Sequence, residues 1–478
     1  MLFSAKNLLP EPPVTSFWNS LLGFDEQFDI GDLIFLRGSI LNVKNLDRAL
    51  AHVIEKHEGI RLRVARTQYG LRLGIGPCPT EPIVEEIDLV RLTGPDQRRR
   101  IEIVSAKRQH MFSFDGHTPI VHVAAFRTSE RGDYYLLVLM HHFVADGMGY
   151  RLFLEALESV YNALAAGHDV NGPETVKWLS SWLKRLEHYA DSEAPDEFKY
   201  WKDIDYDQFN LRVSDASASG TSVAEGSARE LHDASLGGRR ENADGHSRVD
   251  RAKYHLEIDA EATAGLVSIP ARSAHCQDFD AFLSALSGAC GALLGNYSLW
   301  LYSLTSAQGR VFDNFDPSQI IGLISELVPL PLKVTGRESR SDRARLIGRQ
   351  RNMLPRGGID FRAMKFLNRD PALRRRLDRL PLPRIGMNYR AGFQRHFARR
   401  FLDTDSCPPL IGQHMHRAAA VYLFWSEVGY LSRRRQIDTT YDPITIDYEV
   451  ARNLCTVLQQ ELSQAIDEIS AFTRANDE

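Results

Sequence analysis

Two adjacent histidines, followed four residues later by an aspartate and a glycine, are the residues of this sequence best suited to chemistry. They are His141, His142, Asp146 and Gly147, in the pattern His-His-x-x-x-Asp-Gly. An imidazole titrates near neutral pH, so it can accept the proton of an attacking N–H or O–H group. A base held in position accelerates such a step by roughly 10² to 10⁴-fold. The motif therefore indicates a site of proton transfer.

The same side chains offer the ligand types that zinc binds, so a metal site is the alternative interpretation. A protein zinc site needs at least three ligands, mostly nitrogen and sulfur. The side chains of His141 and His142 point to opposite faces if the segment is extended, because successive residues of a strand alternate. No third nitrogen or sulfur ligand stands near them in the sequence. We therefore expect no metal here.

The motif needs a rigid frame, and the residues on either side of it predict one. Tyr134 to Met140 is apolar at nearly every position, which is typical of a strand buried on both faces. From Met148 onward, apolar residues recur at helical spacing, which favours a helix packed on the core. The motif then lies on the short loop between a buried strand and a helix, where many folds present reactive groups.

Bulk composition bounds the class of protein. The chain has 478 residues, 43% hydrophobic and 25% charged, which is typical of a globular protein with two domains. The formal net charge of -4 favours neither nucleic acid nor an anionic membrane as the partner. Residues 1–14 lack a signal-peptide core, and no apolar run approaches 18 residues, so we expect no membrane span. The five cysteines follow no CxxC spacing, which favours a reducing cytoplasm.

A change of composition divides the chain into two halves. Residues 214–250 are rich in Ser, Ala, Gly, Asp and Glu and hold almost no large apolar side chain. Such a segment cannot bury enough surface to offset its ordering entropy. We therefore predict a first lobe over 1–207 that carries the motif, a flexible linker over 208–250 and a second lobe over 251–478. Helices are expected at 97–112, 278–294 and 448–472, and strands at 120–126, 297–305, 320–334, 385–389 and 421–425.

The motif and five further segments together resemble a known family, the condensation enzymes of nonribosomal peptide synthetases within the chloramphenicol-acetyltransferase-like acyltransferases. The resemblance extends from about residue 14 to residue 470. The further segments are Lys56-His57-Glu58-Gly59-Ile60-Arg61, Tyr189-Ala190, Tyr200-Trp201, Gly309-Arg310, and Ile321-Gly322-Leu323-Ile324 with the following Leu327 to Val334. It implies an α/β (α+β) fold of two similar lobes in a V-shaped pseudo-dimer, with a central tunnel that holds the motif at its middle.

The resemblance also implies roles for individual residues. His142 matches the family's catalytic histidine, and His141 is its structural neighbour. Asp146 matches an aspartate whose ion pair shapes the site, and Arg310 is the partner that the resemblance implies. Gly147 leaves room for a substrate and offers its backbone N–H.

Two positions bear on the predicted tunnel, and one of them departs from the family. Glu326 stands where the family has an asparagine, so it puts the identity of the acceptor in doubt more than the catalysis. Tyr389 is a further candidate for the tunnel wall, although a place in an ordinary buried strand explains it equally well.

Basic residues are concentrated in one part of the second half. Residues 351–400 contain 14 Lys or Arg and 3 Asp or Glu, in a chain of net charge -4. A solvated helical face is one interpretation. The other is a docking surface for an acidic carrier protein, centred on Arg374, Arg375 and Arg376.

The resemblance implies acyl transfer from a thioester to an amine or a hydroxyl, without a covalent acyl-enzyme. We expect a free-standing condensation enzyme of natural-product biosynthesis. Its acyl, peptidyl or polyketide donor arrives on the phosphopantetheine arm of a carrier protein in trans, and its acceptor is a small amine or alcohol. The alternatives are a coenzyme A-dependent O-acyltransferase, an epimerisation-type relative, for which no second-base element is found, and a catalytically inactive recruitment module.

Overall fold

The computed structural model describes most of the chain. The described residues are 29–36, 41–67, 70–78, 80, 83–113, 115, 120–170, 178–214, 228–230, 252–258, 260–272, 276–306, 312, 315–389, 424–431, 434–441, 446 and 448–477. Arg310 and most of the predicted linker lie outside them. Within this part of the chain, no helix is both long and apolar enough to cross a lipid bilayer.

The first half is built on a four-stranded sheet of order β1-β6-β5-β4. Its strand β6 forms where Tyr134 to His141 are almost all apolar, and it lies between two neighbours, buried along nearly its whole length. The strands of this half are β1 (Asp29–Leu36), β2 (Leu62–Thr67), β3 (Gly70–Ile75), β4 (Val84–Asp88), β5 (Val121–Arg127) and β6 (Tyr134–His141). Its helices are α1 (Val43–Lys56), α2 (Gly94–Gln109), α3 (Gly147–Ala165), α4 (Trp178–Ser192) and α5 (Phe198–Lys202).

The second half contains a six-stranded mixed sheet of order β11-β10-β12-β13-β14-β9. Its strands are β9 (Ala252–Ile258), β10 (Leu299–Ser306), β11 (Ser325–Leu332), β12 (Ile385–Tyr389), β13 (Phe424–Leu431) and β14 (Arg434–Tyr441). The helices are α6 (Ala260–Arg272), α7 (Asp278–Leu294), α8 (Arg340–Asn352), α9 (Ile359–Arg362), α10 (Pro371–Asp378) and α11 (Tyr448–Asp477). A short antiparallel pair, β7 (Arg212–Ser214) and β8 (Ala228–Glu230), lies between the halves in sequence.

The predicted elements are present, with shifted ends. The strand expected from residue 320 begins at Ser325, because Ile320 to Ile324 are buried without strand pairing. The helix expected at 97–112 spans Gly94–Gln109, since Thr93 caps it by accepting the Asp96 N–H and Pro95 follows. The two-lobe division and the V-shaped arrangement stay predictions.

Helices α4 and α5 belong to the first half by sequence but pack against helices of the second. Trp201 Nε1–H donates to Asp360 Oδ2 at 2.5 Å, and Asn368 Nδ2–H donates to the Ala190 carbonyl at 2.6 Å. The Arg369 N–H donates to Asp191 Oδ1 at 2.7 Å. These bonds tie residues 178–202 to helix α9 and the segment before α10.

Candidate active site

The motif lies on a tight turn between β6 and α3. The His141 N–H donates to the Ile120 carbonyl at 2.9 Å, and the Val144 N–H closes the turn onto the His141 carbonyl at 2.9 Å. Asp146 is the N-cap of α3, and its Oδ1 accepts the Gly149 N–H at 2.8 Å. An aspartate suits this position because it satisfies an otherwise unpaired helix N–H and its negative charge faces the positive end of the helix dipole.

His141 is packed into the core. Its ring is completely buried, lies edge-on to Phe112 with 5.5 Å between the ring centroids, and stacks on Phe143 at 5.2 Å. The Phe143 N–H donates to His141 Nδ1 at 3.2 Å, so that nitrogen is an acceptor and the imidazole is neutral. The contacts therefore give His141 the structural part that the resemblance implies.

His142 differs from its neighbours in the loop by being only half-buried, whereas His141 and residues 143–146 are buried. Because it follows His141 at the end of a strand, its side chain leaves the backbone on the other side. Of the two imidazoles, His142 is the one that a substrate can reach. Gly147 is also half-buried and is the first residue of α3.

Asp146 joins the motif to the second half of the chain. Its Oδ2 accepts the Ile324 N–H at 3.1 Å and the Ser325 hydroxyl at 2.7 Å. Its own N–H donates to the Gly322 carbonyl at 3.2 Å. Asp146 is buried, and hydrogen bonds to a charged acceptor are worth roughly 1.5–3 kcal/mol each. The carboxylate thus fixes the catalytic loop against residues 322–325, and its ion pair with Arg310 stays a prediction.

Two close backbone approaches, not predicted from the sequence, hold the same junction. A Cβ atom at Gly149 would lie 2.7 Å from the Gly322 carbonyl oxygen, and one at Gly59 would lie 2.2 Å from the Ile321 carbonyl oxygen. Neither distance admits a side chain, so only glycine lets these chains meet. In both cases, a motif of the first half contacts the same short segment of the second.

The Lys56–Arg61 element supports the junction rather than the chemistry. Glu58 is buried, and its Oε1 accepts both the N–H and the hydroxyl of Ser180 at 2.7 Å. Burial, followed by the charge of Lys56, lowers the pKa of His57 to about 4. His57 is therefore neutral at physiological pH.

Glu326, which follows Ser325 on β11, is a buried carboxyl group beside a buried arginine. Its side chain leaves the strand on the face opposite to that of Ser325. The residue is 1% exposed, and its Oε2 lies 3.8 Å from Arg362 Nε. Neither carboxyl oxygen accepts a hydrogen bond from the described residues. Burial raises the pKa of Glu326 to about 8, and the nearby Arg362 only partly opposes that rise.

The other predicted site residues lie on separate elements. Tyr389 is half-buried on β12, and its hydroxyl donates to Asp278 Oδ2 at 2.9 Å, which ties it to α7. Arg375 and Arg376 are exposed on α10, whereas Arg374 is half-buried. The Arg376 guanidinium lies 4.1 Å above the Phe198 ring. Ser325 and Arg362, which the sequence analysis did not single out, complete the surroundings of Asp146 and Glu326.

Comparison with known proteins places this architecture. The family model described as "Condensation domain" matches residues 32–365. The linear gramicidin synthase of Brevibacillus parabrevis has a polypeptide that is 23% identical over 350 residues, which cover 73% of this chain and 4% of that polypeptide. Bacitracin synthase 3 of Bacillus licheniformis is 25% identical over 326 residues, which cover 68% of this chain and 5% of that protein. The chain therefore spans only a small part of the curated relatives that it matches.

Two solved structures share the fold across nearly their whole length. The epimerization domain from the third module of tyrocidine synthetase B has a TM-score of 0.73 at 17% identity, covering 97% of this chain and 98% of that one. The first condensation domain of the calcium-dependent antibiotic synthetase has a TM-score of 0.63 at 16% identity, covering 96% of each chain. The predicted chloramphenicol-acetyltransferase-like fold is confirmed. This chain belongs to the condensation-domain family.

Proposed function

We propose that this protein is an acyltransferase that condenses a carrier-bound acyl, peptidyl or polyketide thioester with an amine or a hydroxyl acceptor. The product is an amide or an ester of natural-product biosynthesis. The observation that carries the proposal is the half-buried ring of His142 on a loop whose other motif residues are fixed in the core. Membership of the condensation-domain family supports the same reaction class.

The proposed chemistry needs one base and no protein nucleophile, because a thioester is already activated. His142 accepts the proton of the acceptor N–H or O–H as its nitrogen or oxygen attacks the thioester carbonyl carbon. The new C–N or C–O bond forms, the C–S bond breaks, and the departing thiolate takes up a proton. Holding both substrates in line supplies a further part of the acceleration.

The donor is the phosphopantetheine thioester of a carrier protein, which acts here as a substrate and not as a resident cofactor. The basic helix α10, with Arg374, Arg375 and Arg376, is the surface that we assign to this carrier. Two of these side chains are exposed, and acidic partners are attracted over a Debye length of about 8 Å at physiological salt.

The test is intact-mass analysis of an acyl-loaded carrier protein incubated with the purified enzyme and a panel of amines and alcohols. We expect loss of the acyl mass from the carrier together with formation of an amide or ester. A second set of reactions supplies the same acyl group on coenzyme A. Transfer from coenzyme A but not from the carrier would establish a coenzyme A-dependent O-acyltransferase instead, and no transfer from either donor would overturn the proposal.

A further inference from the structure

A second exposed basic surface lies on the first half of the chain, along helix α2. The helix buries one stripe on the sheet, because Ile101, Ser105 and Gln109 recur at four-residue spacing and are buried. The stripe on the opposite side of the helix contains Arg99, Ile103 and Lys107, all of them exposed. Residues two positions apart lie about 200° apart around a helix, so this stripe faces away from the sheet.

Apolar side chains interrupt that basic stripe where a solvated face would be polar. Ile103 is 51% exposed, Leu92 before the helix is 42% exposed and Met111 after it is 40% exposed. They are three of the six exposed large apolar residues in the part of the chain that the structure describes. Single exposed apolar residues are normal, but three along one helix mark a surface that another molecule covers. We call this surface, residues 91–111, the α2 surface.

The charge of the α2 surface defines the chemistry of its partner. Residues 91–111 contain six Lys or Arg and two Asp or Glu, in a chain of net charge -4. Arg98, Arg99 and Arg100 are all exposed in succession. A partner that fits must present acidic groups around at least one apolar side chain, which is the surface of an acidic amphipathic helix.

The α2 surface ends at the motif. Phe112, directly after the exposed Met111, packs its ring against the ring of His141, with 5.5 Å between the centroids. A partner docked on α2 is therefore only a few residues from the catalytic loop and approaches it from the first half. Helix α10, which we assign to the donor carrier, belongs to the second half.

We propose that the α2 surface docks a second acidic carrier protein, which delivers the acceptor as a thioester. This inference rests on the proposed function, because it names the partner that brings the second substrate. The acceptor carrier lays an acidic helix along Arg99, Ile103 and Lys107. Its arm then enters beside Phe112, while the donor carrier occupies the surface on α10.

The experiment compares two forms of one amine acceptor, free in solution and thioester-bound to a purified acidic carrier protein, with the same acyl-carrier donor. The variants are Ile103→Glu and the double variant Arg99→Glu/Lys107→Glu. The controls are Met353→Glu, at an apolar residue 77% exposed elsewhere, and Arg131→Glu, at another exposed arginine. All of these positions are on the surface, so the variants should fold.

We expect both α2 variants to raise KM for the carrier-bound acceptor at least tenfold, with KM for the free acceptor and for the donor carrier within twofold of wild type. The controls should match wild type in every reaction. Equal KM values for the carrier-bound acceptor in variants and wild type would overturn the inference, as would a rise in the donor-carrier KM instead. Failure of the wild type to use either form of the acceptor would overturn the proposed function itself.

Discussion

At the scale of single residues, the site depends on how Asp146 and its neighbours are hydrogen-bonded. The carboxylate accepts three hydrogen bonds, one from Gly149 within its own loop and two from Ile324 and Ser325 across the junction. A buried carboxylate needs such donors, because an unpaired charge in the core is costly. Asp146 is therefore a positioning residue that holds the loop of His142.

Replacing Ser325 with alanine tests this positioning. Ser325→Ala removes the hydroxyl that donates to Asp146 Oδ2 at 2.7 Å. Loss of a hydrogen bond to a charged group should lower the free energy of unfolding by about 1.5–3 kcal/mol, measured by urea denaturation. Ser325→Thr, which keeps the hydroxyl, should recover most of the acyl-transfer rate. An alanine variant as stable and active as wild type would show that Ile324 and Gly149 suffice.

Glu326 should make stability depend on pH. Its pKa is raised from 4.5 to about 8 by burial, so the folded state binds a proton that the unfolded state loses at lower pH. The stability present below pH 4.5 is therefore lost as pH rises towards 8. Glu326→Gln lacks this titration, so its advantage in unfolding free energy over wild type should grow between about pH 5 and pH 8. A difference that stays constant across that range would contradict the assignment.

Sequence reasoning found the residues whose chemistry is local and missed those brought by tertiary contact. The different roles of His141 and His142 follow from strand alternation and from the resemblance. Ser325 lies 179 residues from Asp146, and no local pattern connects a serine with a distant aspartate.

At the scale of elements, the junction between the halves is a close contact of backbone with backbone. Helix α3 begins against residues 320–324, which are buried although they pair with no strand. Apolar composition predicted this segment as part of strand β11, because burial and strand pairing leave the same apolar signature. The sequence predicted the element itself, and its start depended on packing.

Gly149→Ala tests the closeness of this contact. Its Cβ would lie 2.7 Å from the Gly322 carbonyl oxygen, so the helix must shift away. We expect a loss of about 1–3 kcal/mol in unfolding free energy and a lower acyl-transfer rate. Gly94→Ala is the matched control, since it also stands at the start of a helix and its Cβ would meet nothing within 4 Å. Equal effects of the two substitutions would contradict the contact.

At the scale of the whole molecule, the two halves are joined at more places than chain order suggests. Residues 178–202 were assigned to the first lobe because they precede the predicted linker, yet Trp201 and Asn368 tie them to helices of the second half. Chain order does not reveal such an exchange, because it depends on which apolar faces meet. The family resemblance predicted the overall fold correctly for the same reason that local patterns could not, since it carries tertiary information.

The basic helix α10 provides a prediction at this scale. Arg374→Glu/Arg375→Glu should raise KM for the acyl-carrier donor and flatten its dependence on salt, because exposed charges steer an acidic partner. Arg376 is left unchanged, since its guanidinium packs on Phe198. A small soluble thioester of the same acyl group should react at the wild-type rate. An unchanged KM for the carrier would mean that α10 is only a solvated face.

The central claim, that His142 is the base, is tested most directly by single-turnover acyl transfer from a loaded carrier with His142→Ala. The matched control is His168→Ala, at an exposed histidine just after helix α3. We expect the His142 variant to lose about 10² to 10⁴-fold in rate while still binding the carrier, and the control to match wild type. Transfer at the wild-type rate by the His142 variant would contradict the claim.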